Sequence, residues 1–574
     1  MGAIRLGRIG LKWCMSCNLP LVELENCGIC GSTSVPLEIT PPGDYRPAFP
    51  HDMRRIRRTV DGNYGPGTGL AMLPEGRLVV LNKCPGIDIM DEVAMDGIVL
   101  GNHLFEPGIG WRFICRIEGA RKIAQLASKN WAIIDDGAIP FIRKGASSMA
   151  VGILDADPGI QVGDEVIVLS KAREAISTGR ARMTGARMVE SERDAAIKSR
   201  WYKEVPPNPE IPGGQAWQDA VRANEKKLDK KRRNSRAHIR ETANRFSELP
   251  VAVSVSGGKD SLATLLLVLE AGFKPKLIFT DTGLEFPETL ENVRRTAEKY
   301  GLELLAEDAG NAFWHALEHF GPPAKDFRWC CKTCKLGPMA NLIRKNFPGG
   351  VLSFIGQRQY ESSQRYDKGN VWRNPWVPGQ VGASPIQNWP SLLVWLYIFQ
   401  QGGEYNPLYE KGMERIGCWL CPASDLGELE EVEKHSIQVE RWHAALDDFA
   451  SRKELPKEWL ELGLWRWKAL PRGMAELIHQ RGLAIAEEKR DAERPNDTLT
   501  DGQRERIARF SCISDDENAV RMKALHCMGC GICLSMCESG ALEMANGVIE
   551  VDPEKCIGCG KCLHPCVVVD FGPR

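Results

Sequence analysis

The 574-residue sequence has no apolar run long enough to cross a bilayer. Its longest, LLVWLYIF at 392–399, falls well short of the ~20 residues a spanning helix needs. The N-terminal stretch MGAIRLGRIGLKWCMSC has no apolar segment of the signal-peptide kind, and it lacks the Ser or Thr at position 6 that N-myristoylation calls for. A cytoplasmic protein is therefore expected. Net charge of one sign is also lacking: 74 Lys and Arg stand against 75 Asp and Glu, so any surface that attracts nucleic acid must be local. Apolar (43%) and charged (26%) content are those of an ordinary globular chain, and the length implies about three to five domains.

What the chain has in abundance is cysteine, 20 in all, mostly in C-x2-C pairs. In a reducing compartment that pattern points to metal rather than disulfides. Residues 14–30, CMSCNLPLVELENCGIC, are C-x2-C-x9-C-x2-C. Cys14, Cys17, Cys27 and Cys30 can close a tetrahedral S4 site, a structural zinc ribbon over 1–35. Residues 36–130 mix strand-like runs with the basic helical pattern PHDMRRIRRTV, a small α/β domain. Its isolated Cys84 and Cys115 are expected to be small buried hydrophobes.

Residues 131–190 alternate short strands with Gly/Asp turns, as in a small β-barrel. GASSMAVGILDAD, VGDEVIVLS and AISTGRARM, in that order, resemble the PUA domain, which implies an RNA-binding barrel. The stretch 191–246 reads as a polar helical linker, and RANEKKLDKKRRNSRAHIR at 222–240 holds nine Lys/Arg against two Asp/Glu. It is a solvated face or a phosphate-contacting arm.

Residues 251–262, VAVSVSGGKDSL, run a β-branched strand into a glycine turn and then a helix. The glycines admit a close ligand, and the helix N-terminus offers free N–H groups to an anion. The spacing is not that of the Walker loop. SGGKDS is the signature of the PP-loop ATP pyrophosphatases, and further matches follow in order: DTGLEFPET, RWCCK at 328–332, GQRQYES at 356–362, PIQNW at 385–389 and NPLYEKGMERIGCWLCP at 406–422. Together they resemble the phosphoadenosine-phosphosulfate (PAPS)/adenylyl-sulfate reductase family, in an archaeal multidomain subgroup. The resemblance implies a parallel-sheet α/β PP-loop domain over 247–450 and a nucleotide site from Ser256, Gly257, Gly258, Lys259, Asp260, Ser261, Asp281, Thr282, Gly283, Arg358 and Arg365. Lys259, Arg358 and Arg365 are expected to neutralise phosphates, and Asp260 or Asp281 to orient Mg2+ or ribose.

The same resemblance implies that Cys330, Cys331, Cys418 and Cys421 hold a [4Fe-4S] cluster beside the nucleotide. Cys334 is left over: a buried spare thiol, an alternative ligand replacing Cys330 or Cys331, or a nucleophile with its pKa lowered by Lys332 and Lys335. The catalytic set is therefore Lys259, Asp260, Asp281, Arg358 and Cys334. The family's C-terminal E-C-G-[LI]-H segment, which carries its nucleophilic Cys, is absent; a helical connector over 451–510 follows instead.

The tail, 511–574, carries CMGCGICLSMC and CIGCGKCLHPC, two C-x2-C-x2-C-x3-C runs of bacterial ferredoxin type, in which each fourth Cys serves the other cluster. Cys527, Cys530, Cys533 and Cys566 make one [4Fe-4S] site, and Cys537, Cys556, Cys559 and Cys562 the other. The Pro that usually follows the fourth Cys is replaced by Glu538 and Val567, and Cys512 reads as incidental. These parts are expected to form an enzyme that activates tRNA or rRNA with ATP for sulfur insertion or a related redox change, served by an external electron donor and a sulfur donor. The alternatives are a PAPS or adenylyl-sulfate reductase fed by its own ferredoxin domain, and a non-catalytic RNA-binding redox sensor.

Overall fold

The computed structural model describes residues 6–7, 9–204, 211–483 and 499–571. Most of the N-terminal targeting reading and parts of both linkers lie outside them. Among the described residues no helix is long and apolar enough to cross a membrane.

The central domain is a six-stranded sheet in the order Leu304–Asp308, Lys276–Asp281, Val251–Ser254, Val351–Ile355, Gln380–Ala383, Val371–Arg373. All neighbours are parallel except the last pair. The chain leaves Val251–Ser254 for one side of the sheet and later returns to its other side. The carboxyl end of that strand is thus the switch point at which parallel sheets leave a crevice for ligands. Both faces are covered, so the strands and the helix Lys259–Glu270 read as near-continuous apolar runs rather than alternating ones.

The N-terminal cysteines sit on a three-stranded sheet, Leu11–Cys14, Leu19–Val22 and Val35–Pro36. Next comes a five-stranded antiparallel sheet, from Tyr45–Pro47 to Gly110–Cys115, backed by the helix Pro50–Tyr64. Cys84 and Cys115 are buried there as expected, 5% and 1% exposed. The following barrel has six strands, and its Ala195–Trp201 pairs with both Ser148–Met149 and Ala175–Ala181. That strand falls in the stretch read as linker. Its sequence, AAIKSRW, is half polar because only one face is packed, so it carries little strand signal.

The basic stretch forms the helix Glu225–Arg245, which buries Leu228, Ile239 and Ala243 against the central domain. Several of its cations turn inward: Arg232 pairs with Glu270 and Lys231 donates to Asn388. Lys226, Lys230 and Arg233 remain exposed along one side. In the tail a hairpin, Leu542–Ala545 with Val548–Val551, carries the two cysteine runs.

Candidate functional site

Cys14, Cys17, Cys27 and Cys30 bring their sulfurs within 4.8 Å of one another. Cys14 Sγ and Cys30 Sγ are 3.5 Å apart, close to the ~3.8 Å separation in a tetrahedron with Zn–S of about 2.3 Å. Burial pushes the Cys14 thiol up to about 11, whereas hydrogen bonds from Ser32 bring the exposed Cys30 down to about 6. The donor set fits a single thiophilic ion such as zinc.

The SGGKDS loop turns through Gly257 at φ +69°, which a side chain rarely adopts. A Cβ at Gly257 would also lie 2.8 Å from Thr289. The loop is fixed from inside: Ser261 Oγ accepts from Ser256 N at 3.3 Å, and Tyr409 Oη accepts from Lys259 N at 2.8 Å. Lys259 Nζ meets Asp260 at 2.8 Å. Asp260 also faces Arg358 Nε at 2.8 Å, and the rest of that guanidinium grips Asp44 at 2.6 and 3.0 Å. Arg358 is 3% exposed, with its fork committed to two carboxylates, so it props the loop rather than presenting donors to a ligand. This departs from the phosphate-binding expectation. Asp44 lies 314 residues away in the chain, where no local pattern marks it.

Asp281 ends its strand, and its Oδ1 accepts from Gly283 N at 2.9 Å. Burial and the adjacent Asp308 raise its pKa. Thr282 donates to Glu285 at 3.0 Å. Arg365 stands apart on the short helix Ser363–Asp367, paired with Glu361.

The nucleotide loop and the Cys418 loop pack against each other. Ile416, two residues before Cys418, lies 3.6 to 3.9 Å from where Cβ atoms on Gly257 and Gly258 would stand. Trp419 N donates to Leu284 O at 3.0 Å, tying the Cys418 loop to the Asp281 loop. Cys330 and Cys331 begin a helix whose next turn, Lys332–Leu336, is π-helical, a widening common at functional sites. Cys330 and Cys331 interact directly, and that contact lowers Cys331 to about 6. Cys418 feels the charges of Lys335, Glu285 and Cys421. These four cysteines do not form a single-ion group among the described residues. Cys330 feels the charges of Cys331 and Cys418, so both halves of the set lie in one neighbourhood.

Cys334 differs from its neighbours. It is 2% exposed in the apolar core beside Trp329 and Trp419. Burial raises its pKa well above the ordinary thiol value. The expected activation by lysines is therefore reversed. Lys332 turns away to Asp570 and the ring of Trp376, and the Lys335 charge does not offset desolvation. Lys335 itself is exposed, and Cys418, Glu285, Cys331 and Cys421 all raise its pKa. It is a fixed cation beside the Cys418 loop, its Nζ 3.9 Å from where a Cβ on Gly417 would stand. Sequence reasoning named it only as a charge beside Cys334, although its place four residues after Cys331 puts it on the same helical side. Glu285, whose Oε2 has no hydrogen-bond partner, was passed over.

In the tail, Cys527, Cys530, Cys533 and Cys566 line one cavity with Ile532, Ile549 and Val567, an apolar cradle of the kind a cubane takes. Val567 is 1% exposed and packs into the Trp329 core, which accounts for the missing Pro. Of the second set, Cys562 is buried and Cys559 exposed. The carbonyl of Cys512 lies 3.5 Å from Cys556 Sγ.

Comparison with known proteins matches the same three regions. The phosphoadenosine phosphosulfate reductase domain family covers residues 250–424, the PUA domain 130–202 and the 4Fe-4S dicluster domain 526–568. An uncharacterized protein of Methanocaldococcus jannaschii is 36% identical over 476 residues, covering 81% of this chain and 97% of that one. The chain belongs to the phosphoadenosine phosphosulfate reductase domain family. The adenosine 5'-phosphosulfate reductase of Geobacillus kaustophilus is 26% identical over 190 residues, 31% of this chain and 76% of that enzyme. Among solved structures, the PAPS reductase of Candida auris in a phosphate complex covers 34% of this chain and 96% of its own, at 20% identity and a TM-score of 0.27. The barrel ending at Trp201 agrees with the PUA match. In this PAPS reductase-like chain the PP-loop, PUA and ferredoxin parts are thus all present, with iron–sulfur clusters supported in the tail and an N-terminal cysteine group fit for zinc.

Proposed function

We propose that the chain is an iron–sulfur PP-loop enzyme that activates an RNA base with ATP for sulfur insertion or a related redox modification. The observation that carries it is the packing of the Cys418 loop directly against the SGGKDS and Asp281 loops, on a chain that also bears a PUA domain. The loop N–H groups and Lys259 would hold the phosphates of ATP, and Asp281 the Mg2+ or ribose. An oxygen of a tRNA or rRNA base would attack the α-phosphorus and release pyrophosphate. A sulfide-level sulfur donor would then displace AMP. Lys335 would meet the anionic substrate beside the Cys418 loop, and Arg358 positions the loop through Asp260 and Asp44. Two electrons from an external donor, passed one at a time through clusters on the cysteine sets, would reduce a persulfide or disulfide donor to the sulfide that displaces AMP.

The second reading, reduction of PAPS or adenylyl sulfate to sulfite, is favoured by the match over 250–424. A sulfate group suits the cation Lys335. Against it stand the PUA domain and the absent E-C-G-[LI]-H segment. Cys334, 2% exposed, is also poorly placed to replace that nucleophile. Anaerobically reconstituted protein should be given labelled ATP with bulk RNA, or labelled PAPS. RNA-dependent AMP and pyrophosphate are expected. Sulfite released without RNA would overturn the RNA reading.

A further inference from the structure

The two cysteine cradles of the tail stand differently toward the central site. The helix Gly337–Asn346 continues directly from the turns that carry Cys330, Cys331 and Cys334. Cys530 rests on its first residue: a Cβ at Gly337 would lie 2.4 Å from the Cys530 carbonyl oxygen and 3.3 Å from its Cβ. One turn on, the side-chain amide of Asn341 comes within 2.4 Å of where a Cβ on Gly531 would be. Ile532 is buried with Ala340 and Ile343. From the other side Cys566 enters the same apolar core as Trp329 and Cys334, with Cys330, Cys418 and Cys530 packed at its margin. Cys331 and Gly337 are six residues apart, about 9 Å along the helix.

Cys537, Cys556, Cys559 and Cys562 have no part in that core. Cys559 is exposed, and Ile557 beside it is 69% exposed.

We propose that the cradles are ordered: Cys527, Cys530, Cys533 and Cys566 form the inner station, abutting the central cysteines, and the Cys559 set forms the outer one. A low-potential one-electron donor would deliver to the outer station. Each transfer then oxidises one station by one electron and reduces the next, with no bond or proton moved. Gly337 is a positioning residue that lets Cys530 approach. The proposal rests on the reading that Cys330, Cys331, Cys418 and Cys421 hold a cluster.

The test is electron paramagnetic resonance of the full-length, anaerobically reconstituted protein, fully reduced with dithionite, with iron counted on the same samples. Wild type should hold about twelve iron atoms and show magnetic splitting of the central signal. Cys559→Ala should leave that splitting, and Cys530→Ala should abolish it. Should Cys530→Ala fail to fold, Gly337→Val, which keeps every ligand, should retain its iron and lose the splitting. Splitting lost in Cys559→Ala, or kept in Cys530→Ala or in iron-replete Gly337→Val, overturns the order. About eight iron atoms in wild type would instead remove the central cluster, and the order would fall with it.

Discussion

Asp88 and Arg466 form an ion pair in which neither side chain is exposed at all, at 3.0 Å. Asp88 Oδ2 also accepts from Leu426 N at 2.8 Å, and its Oδ1 from Gly427 N at 2.9 Å. One carboxylate thus caps the helix Leu426–Glu433, which starts five residues after Cys421, and neutralises a guanidinium that also donates to the carbonyls of Gly463 and Ser424 and lies over the ring of Trp467. Burial lowers the Arg466 pKa, and Asp88 is the leading charge that opposes it. Removing one partner of a buried pair costs about 3–5 kcal/mol, because the other charge is left stranded. Asp88→Ala should therefore loosen this segment by about that much. At 1.4 kcal/mol per tenfold, the Leu426 and Gly427 amides should exchange with solvent about 10² to 10³ times faster. Asp88→Asn keeps one good acceptor but sets an NH2 against a backbone N–H or against Arg466. It should cost about 1–3 kcal/mol and fall between. Hydrogen-exchange mass spectrometry of peptides spanning 424–433 reads both variants. Iron content should drop in parallel, since the helix anchors the Cys418 and Cys421 loop. Exchange unchanged in Asp88→Ala would refute the reasoning, as would Asn and Ala behaving alike.

Four further outcomes are expected. Cys334→Ala should keep the full complement of iron by metal analysis, because Cys330, Cys331, Cys418 and Cys421 already make four ligands; loss of about four iron atoms would make it one. Asp91, buried near Glu414, has its pKa raised to about 7, so the folded state holds a proton that the unfolded state releases. Stability should accordingly fall as pH rises from about 4 to about 7, by up to about 1.4 kcal/mol per unit, and Asp91→Asn should flatten that slope in melts at several pH values. Cys14→Ser should lose one zinc by mass spectrometry under native conditions and leave the iron intact. Replacing the exposed Lys226, Lys230 and Arg233 by Ala should weaken binding to unrelated RNAs alike and make the salt dependence shallower, measured by titration at several salt concentrations.

The parts of this fold most legible in the sequence are those whose chemistry fixes a spacing. A thiolate site needs its knuckles two residues apart, and a phosphate loop needs glycines at set places, so both cysteine runs of the tail, the Cys14 group and SGGKDS could be read directly. Arg358 illustrates what could not. Its motif identifies the residue, but its direction is set by Asp44, which the chain brings in from another domain, and no local pattern records that contact. Cys334 illustrates a second limit. Charges at sequence-adjacent Lys332 and Lys335 suggested a depressed pKa, yet the π-turn points the thiol into a tryptophan-lined core, where desolvation outweighs them. Reactivity follows the dielectric around a sulfur more than the charges beside it in the sequence, and that dielectric is a property of packing. The same reasoning favours Lys335 over Cys334 as the group to pursue. Of the charged and nucleophilic groups on this turn, Lys335 is both exposed and held charged by neighbouring thiols and Glu285, so it can meet an anionic substrate without first being uncovered.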